Sequence, residues 1–114
     1  MFLTSLPLGT YLRVSLMVGG RTMKTVQTTS AQKSQDPVYN EAFVFHTPLE
    51  HIKNTDLVVS LLSSDNVTSP QPKMLGKVIV GPVSGTNLGR KHWEAMLSTP
   101  RRPIAQWHTV TEFF

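Results

Sequence analysis

Four histidines are the side chains here best suited to acid–base or metal chemistry, and their spacing serves neither. His46, His51, His92 and His108 form no His-Glu-x-x-His pair, and no Gly-x-Ser-x-Gly elbow, phosphate-binding Gly-x-x-x-x-Gly-Lys or dinucleotide fingerprint occurs. The absence of cysteine removes a disulfide framework and a cysteine-based zinc site. The histidines are read as surface or packed residues, His92 and His108 each beside a tryptophan; local spacing leaves open only a site assembled from distant residues. Cations are the remaining chemistry: eleven Lys and Arg against seven Asp and Glu give +4 and a pI of about 9.8. Arg90, Lys91, Arg101 and Arg102 lie close together with one acid, Glu94, among them. That chemistry recognises anions: lipid headgroups, acidic protein surfaces or nucleic acid. Nucleic acid is the least expected partner, because the aromatics mostly follow core periodicity instead of interleaving with the basic residues.

The elements that must hold these cations are short strands. Tyr11 to Met17 alternates, with Leu12, Val14 and Leu16 on one face and Tyr11, Arg13 and Ser15 on the other. Gly19-Gly20 suits a tight hairpin, and Thr22 to Thr29 is the returning strand. Ser30 to Pro37 reads as a loop, Glu41 to His46 as a third strand, and Leu57 to Leu62 as a central strand buried on both faces. Ser63 to Lys73 is polar with two prolines, hence a loop, and Leu75 to Val80 is a fifth strand stopped by Gly81-Pro82. Leu88, His92, Trp93, Met96 and Leu97 recur at helical spacing, so Thr86 or Asn87 caps one amphipathic helix that ends before Pro100 and leaves Arg90, Lys91 and Glu94 in water. Ile104 to Val110 reads as a last strand opened by Pro103. The 114 residues suffice for one core, and strands at this spacing with one late helix predict an all-β antiparallel sandwich. No apolar run approaches the length of a membrane-spanning helix, and Met1 to Leu8 has no basic start or cleavage site, so the chain is expected to be cytoplasmic. Asn66-Val67-Thr68 is then a glycosylation sequon in form only.

Three stretches carry a family resemblance: Asp36-Pro37-Val38-Tyr39-Asn40-Glu41-Ala42-Phe43-Val44-Phe45, Leu75-Gly76-Lys77-Val78-Ile79-Val80-Gly81, and His92-Trp93-Glu94-Ala95-Met96-Leu97 continued by Pro100-Arg101-Arg102-Pro103-Ile104-Ala105-Gln106-Trp107-His108-Thr109. Together they resemble the second, membrane-distal C2 domain of the synaptotagmin family. The resemblance spans Tyr11 to Val110, which sets aside 1–10 as a divergent segment and 111–114 as a tail. It implies a C2-type β-sandwich of Greek-key topology in which Tyr11 to Met17 stands for the third of eight strands. About six strands are then present, and the sandwich is incomplete at its N-terminus.

The resemblance also implies sites. Two calcium-ligating aspartates would come from a loop that precedes Tyr11, and the second loop reads Ser63-Ser64-Asp65, a vestigial calcium loop with one carboxylate. Calcium wants six to eight oxygens with enough charge to offset its own. Asp65 is therefore expected to be a turn residue, calcium binding to be lost, and no cofactor to be used. The family's lysine-rich phosphoinositide strand corresponds to Arg21 to Gln27, thinned to Arg21 and Lys24. The pair Arg101-Arg102 corresponds to the family's contact with SNARE proteins or a second membrane, with Arg90 and Lys91 extending the patch. Trp107 and His108 match a terminal Trp-His element, with Trp107 expected to pack first and dock second. Function is expected to be a non-enzymatic, calcium-independent module for anionic phospholipid and SNARE surfaces in vesicle trafficking, peripheral to a membrane or vesicle. The alternative is a truncated product of little autonomous activity that associates with itself through exposed sheet edges. Packing of Phe2, Leu3, Leu6 and Leu8 into the vacated groove would separate the two.

Overall fold

A computed structural model describes residues 9–29, 31–32, 38–63, 73–83 and 86–111. The alternating run becomes β1 (Gly9–Val18), and Gly19 and Gly20, at φ 58° and 80°, turn it into β2 (Arg21–Gln27). Positive φ at both positions makes the hairpin turn that glycine adopts at no steric cost. β3 (Ala31–Gln32) pairs with Gly9 and Thr10, within a stretch expected to be loop. A 3-10 helix (Leu49–Asn54) leads into β4 (Thr55–Ser63), followed by β5 (Lys73–Val80) and α1 (Asn87–Ser98). The sheet is antiparallel throughout, in the order β2-β1-β4-β5, with β3 on the end of β1. Phe2, Leu3, Leu6 and Leu8, and most of the Ser63 to Lys73 loop, lie outside the described residues.

Register explains the sheet's two faces. Leu12, Val14 and Leu16 stand opposite Leu61, Val59 and Leu57, which stand opposite Gly76, Val78 and Val80. Directly opposed residues share a face, so these rows form one continuous apolar surface. On the reverse, Arg13 Nε donates to Gln27 Oε1 at 3.1 Å and Ser15 bonds Thr25 at 3.2 Å, ladder partners that tolerate water. Leu16, Leu62, Val80 and Trp93 are the buried apolar residues. Thr55, fully buried, satisfies its hydroxyl on the His51 carbonyl at 2.7 Å.

Two extended segments form no second sheet among the described residues. Glu41 to His46 keeps the expected alternation, Phe43 and Phe45 half-buried and Ala42 and Val44 exposed, yet forms no ladder. Ile104 to Val110 forms none either and is tied to β5 only by an isolated bridge, Lys77 to Thr111, with both N–H···O distances 3.0 Å. Both were expected as strands. A strand needs a neighbour along its edge as well as a face to lie on, and among the described residues neither segment has one. For the same reason Leu57, Val58, Val59 and Leu61 are half-buried: β4 is central in the sheet and is not sealed on both faces as expected.

Helix α1 starts where capping chemistry dictates: Thr86 is extended at φ −104° and its hydroxyl accepts from Gly89 N at 3.1 Å. Its buried stripe is Gly89 and Trp93 with Met96 half-buried, whereas Leu88 and Leu97 are 39% and 47% exposed. The inward face is thus rotated from the expected one and draws in Arg90, half-buried and bonded to Asn87 Oδ1, while Lys91 and Glu94 stay in water.

Candidate functional site

The cations that could face a partner come from the end of α1. Thr99 N–H closes the last turn on the Ala95 carbonyl at 3.1 Å, and Arg102 N–H returns to the Thr99 carbonyl at 3.3 Å. Pro100 cannot continue a helix, so the chain reverses through Arg101 at φ 66°. A non-glycine residue in that left-handed region costs about 1–2 kcal/mol, and the tight turn holds it there. Arg101 and Arg102 are both exposed, and among the described residues neither has a carboxylate in ion-pair reach. Arg90 and Lys91 sit in the first half of α1, Arg90 engaged with its own helix, and Arg101 and Arg102 follow the helix end.

The following segment presents an aromatic. Trp107 is 89% exposed beside a shallow open cleft lined by Ala105, Gln106 and itself, which reverses the expectation that it packs first. His108 turns inward instead. Its Nε2 lies 2.7 Å from His92 Nδ1, the rings are nearly parallel with centroids 5.0 Å apart, and His92 Nε2 lies 3.1 Å from the Ile104 carbonyl. One helical side chain therefore holds the segment on both sides of Trp107. Partial burial, then the neighbouring His92, push the His108 pKa below 6.5.

On β2 a bulge changes what the thinned basic strand presents. Leu16 pairs with Lys24 but Met17 with Thr22 and Val18 with Arg21, so Met23 is the extra residue. Arg21 and Lys24, three apart, consequently share a face, and Lys24 Nζ lies 5.9 Å from the centre of the Phe45 ring. The calcium-loop position fares differently. Ser63, 5% exposed, ends β4 opposite Lys73; Asp65 lies outside the described residues. Ser63, Ser64 and Asp65 contain one carboxylate, and no group of three or more His, Asp or Glu converges among the described residues.

The C2 domain family is found over residues 5–96, which span the sheet and most of α1. The chain belongs to the C2 domain family. It is of the synaptotagmin type, 40% identical to human synaptotagmin-1 over 100 residues, 88% of the chain and 23% of that protein. Synaptotagmin-6 of Rattus norvegicus is 40% identical over 90% of the chain, and synaptotagmin 1 of Drosophila melanogaster 37% over 90%. The chain thus spans about a fifth of the length of the relatives it matches, 19% to 23%. No helix among the described residues of this C2 domain is long and apolar enough to cross a membrane.

Three features of this C2 domain left no mark in sequence patterning. The His92–His108 contact joins residues 16 apart. The left-handed Arg101 follows a proline and carries no glycine to announce it. The bulge at Met23 interrupts a strand of ordinary composition.

Proposed function

We propose that this C2 domain is a non-enzymatic, calcium-independent docking module for anionic surfaces, in the first place phospholipid headgroups at the cytoplasmic face of a membrane or vesicle. The observation that supports it best is the pairing, on one short segment after α1, of two exposed arginines without acidic partners and a tryptophan 89% exposed. Guanidinium groups bind phosphate bidentately, and an indole favours the headgroup region, where its ring is half-apolar and its N–H stays wet. Arg21 and Lys24, on one face of β2, are an auxiliary basic pair. The donor set around Ser63 and Asp65 supports calcium independence, and acidic SNARE surfaces are the protein partner of the same chemistry.

Co-sedimentation with anionic vesicles, and pull-down of SNARE complexes, each with calcium and with chelator, tests the reading. Replacing Arg101 and Arg102 with Gln removes two charges at similar length. At about 1 kcal/mol for each basic residue near an anionic surface, vesicle affinity should fall roughly thirtyfold. Binding should be equal with calcium or chelator and should weaken as salt shortens the ~8 Å screening length. Unchanged binding by the double variant would refute the site, and binding only with calcium would refute calcium independence. No binding by the parent would favour a fragment of little autonomous activity.

A further inference from the structure

We propose that His92 and His108 form a proton-operated latch that holds the Ile104 to His108 segment on α1 with Trp107 turned outward, and that a second proton opens it. This rests on the reading of Trp107 and the arginine turn as the docking site and adds its regulation.

The geometry sets the proton count. His92 Nε2 faces a carbonyl, which only accepts, so that nitrogen carries the hydrogen. A neutral His92 then has its lone pair on Nδ1, 2.7 Å from His108 Nε2, and His108 Nε2–H must be the donor. A first proton enters at His108 Nδ1 and leaves this bond intact. The next available position is His92 Nδ1 itself. Once it is protonated, two N–H groups and two positive rings face each other at that distance, and the bond is lost. The pair therefore titrates in two steps that belong to the pair and not to either ring.

Among the described residues, the surroundings add more positive than negative charge near the pair. On α1 the flanking charges are Arg90, Lys91 and the exposed Glu94; the C-terminal segment adds Arg101 and Arg102, and β5, packed on α1, adds Lys73 and Lys77. Glu94 is the one acid on these elements among the described residues. Partial burial, then the neighbouring His92, hold the His108 pKa below 6.5, so the first proton, which keeps the bond, enters only as pH falls below that value, and the step that opens the latch follows it. An anionic membrane at about −30 to −50 mV also concentrates protons, lowering the local pH by roughly half a unit or more. The surface that attracts the arginines thereby pushes the latch toward release of the segment that carries Trp107.

Imidazole nitrogen NMR on the whole chain without vesicles, with amide exchange at Thr111, provides the test. Thr111 N–H donates to the Lys77 carbonyl and reports whether the segment is held. Expected are the Nε2–H form of both rings at pH 8 and two titration steps. Thr111 exchange, corrected for the intrinsic rate, should rise by at least about tenfold across the acid step. His92→Gln should flatten that rise to under about twofold; His108→Gln is a second route to the same loss if the first variant folds poorly. Two independent titrations near 6.5, or Thr111 protection indifferent to pH, would overturn the latch. Vesicle binding of the parent at pH 7.4 is read separately, so failure of the docking reading is distinguishable from failure of the latch.

Discussion

The central strands β1, β4 and β5 and the two extended segments around Phe43 and Trp107 carry the same kind of sequence and reach different ends. All were expected as strands from apolar residues spaced by two or from strand-forming composition. β1 pairs with β4 across nine consecutive positions, Thr10 to Val18 with Ser63 to Thr55. Glu41 to His46 keeps its alternation of half-buried and exposed residues and pairs with nothing described. Alternation thus encodes which way side chains point. A ladder is a property of two chains of backbone, and no single segment's composition contains its partner.

The sharpest way to break the comparison is to remove the residue that seals the well-paired half. Trp93 is 6% exposed on α1, and Trp93→Ala should lower unfolding stability by about 3 kcal/mol, read from chemical denaturation. Its indole N–H has no hydrogen-bond partner among the described residues, so Trp93→Phe should cost much less than the volume change alone suggests. A loss below about 0.5 kcal/mol for the alanine variant would mean that α1 contributes little, and that the sheet stands without it.

What sequence made legible follows the same division. β1, β2, β4, β5 and the Thr86 cap were readable because each is specified locally: by alternation, by Gly19-Gly20, by an apolar run and by a hydroxyl before a helix. The family was legible in linear motifs. The rotated face of α1, which leaves Leu97 exposed and draws Arg90 inward, depends on what β5 offers opposite it. The exposure of Trp107 likewise depends on His108, whose inward turn is set by a histidine 16 residues away.

Two glycines grade the contrast within one strand and its exit. A Cβ on Gly81 would collide with Asp56, whose Cα lies 2.7 Å from it, and Asp56 Oδ1 also accepts from Val83 N at 3.1 Å. A Cβ on Gly76 would meet Val110 Cγ1 and the Thr111 carbonyl, on the segment that is only bridged to β5. Overpacking costs about 1–3 kcal/mol according to how far the neighbour can yield. Gly81→Ala should lie near the top of that range because paired backbone must move. Gly76→Ala should lie near the bottom because the segment can lift away, with Thr111 losing exchange protection. Equal costs would show the C-terminal segment to be as firmly held as the sheet.

The smallest expected effect on stability belongs to Trp107. Its exposure of 89% leaves little apolar surface to lose, so Trp107→Ala should change unfolding stability by less than about 0.5 kcal/mol. Trp93 provides the internal control, since both residues are tryptophan and only their surroundings differ. Anionic vesicles should reverse the ranking: Trp107→Ala should weaken binding by at least about fivefold, equivalent to about 1 kcal/mol, because the indole would enter the headgroup layer that the arginines bring within reach. The paired measurement distinguishes two reasons for a tryptophan to stand in water. A residue exposed only because the extended segment lacks a neighbouring strand would be silent in both assays. A residue held out for a partner would be silent in the denaturation curve and audible in the binding curve. His108 beside it supplies the mechanical reason to expect the second outcome, because its inward turn onto His92 directs the adjacent side chain away from the domain.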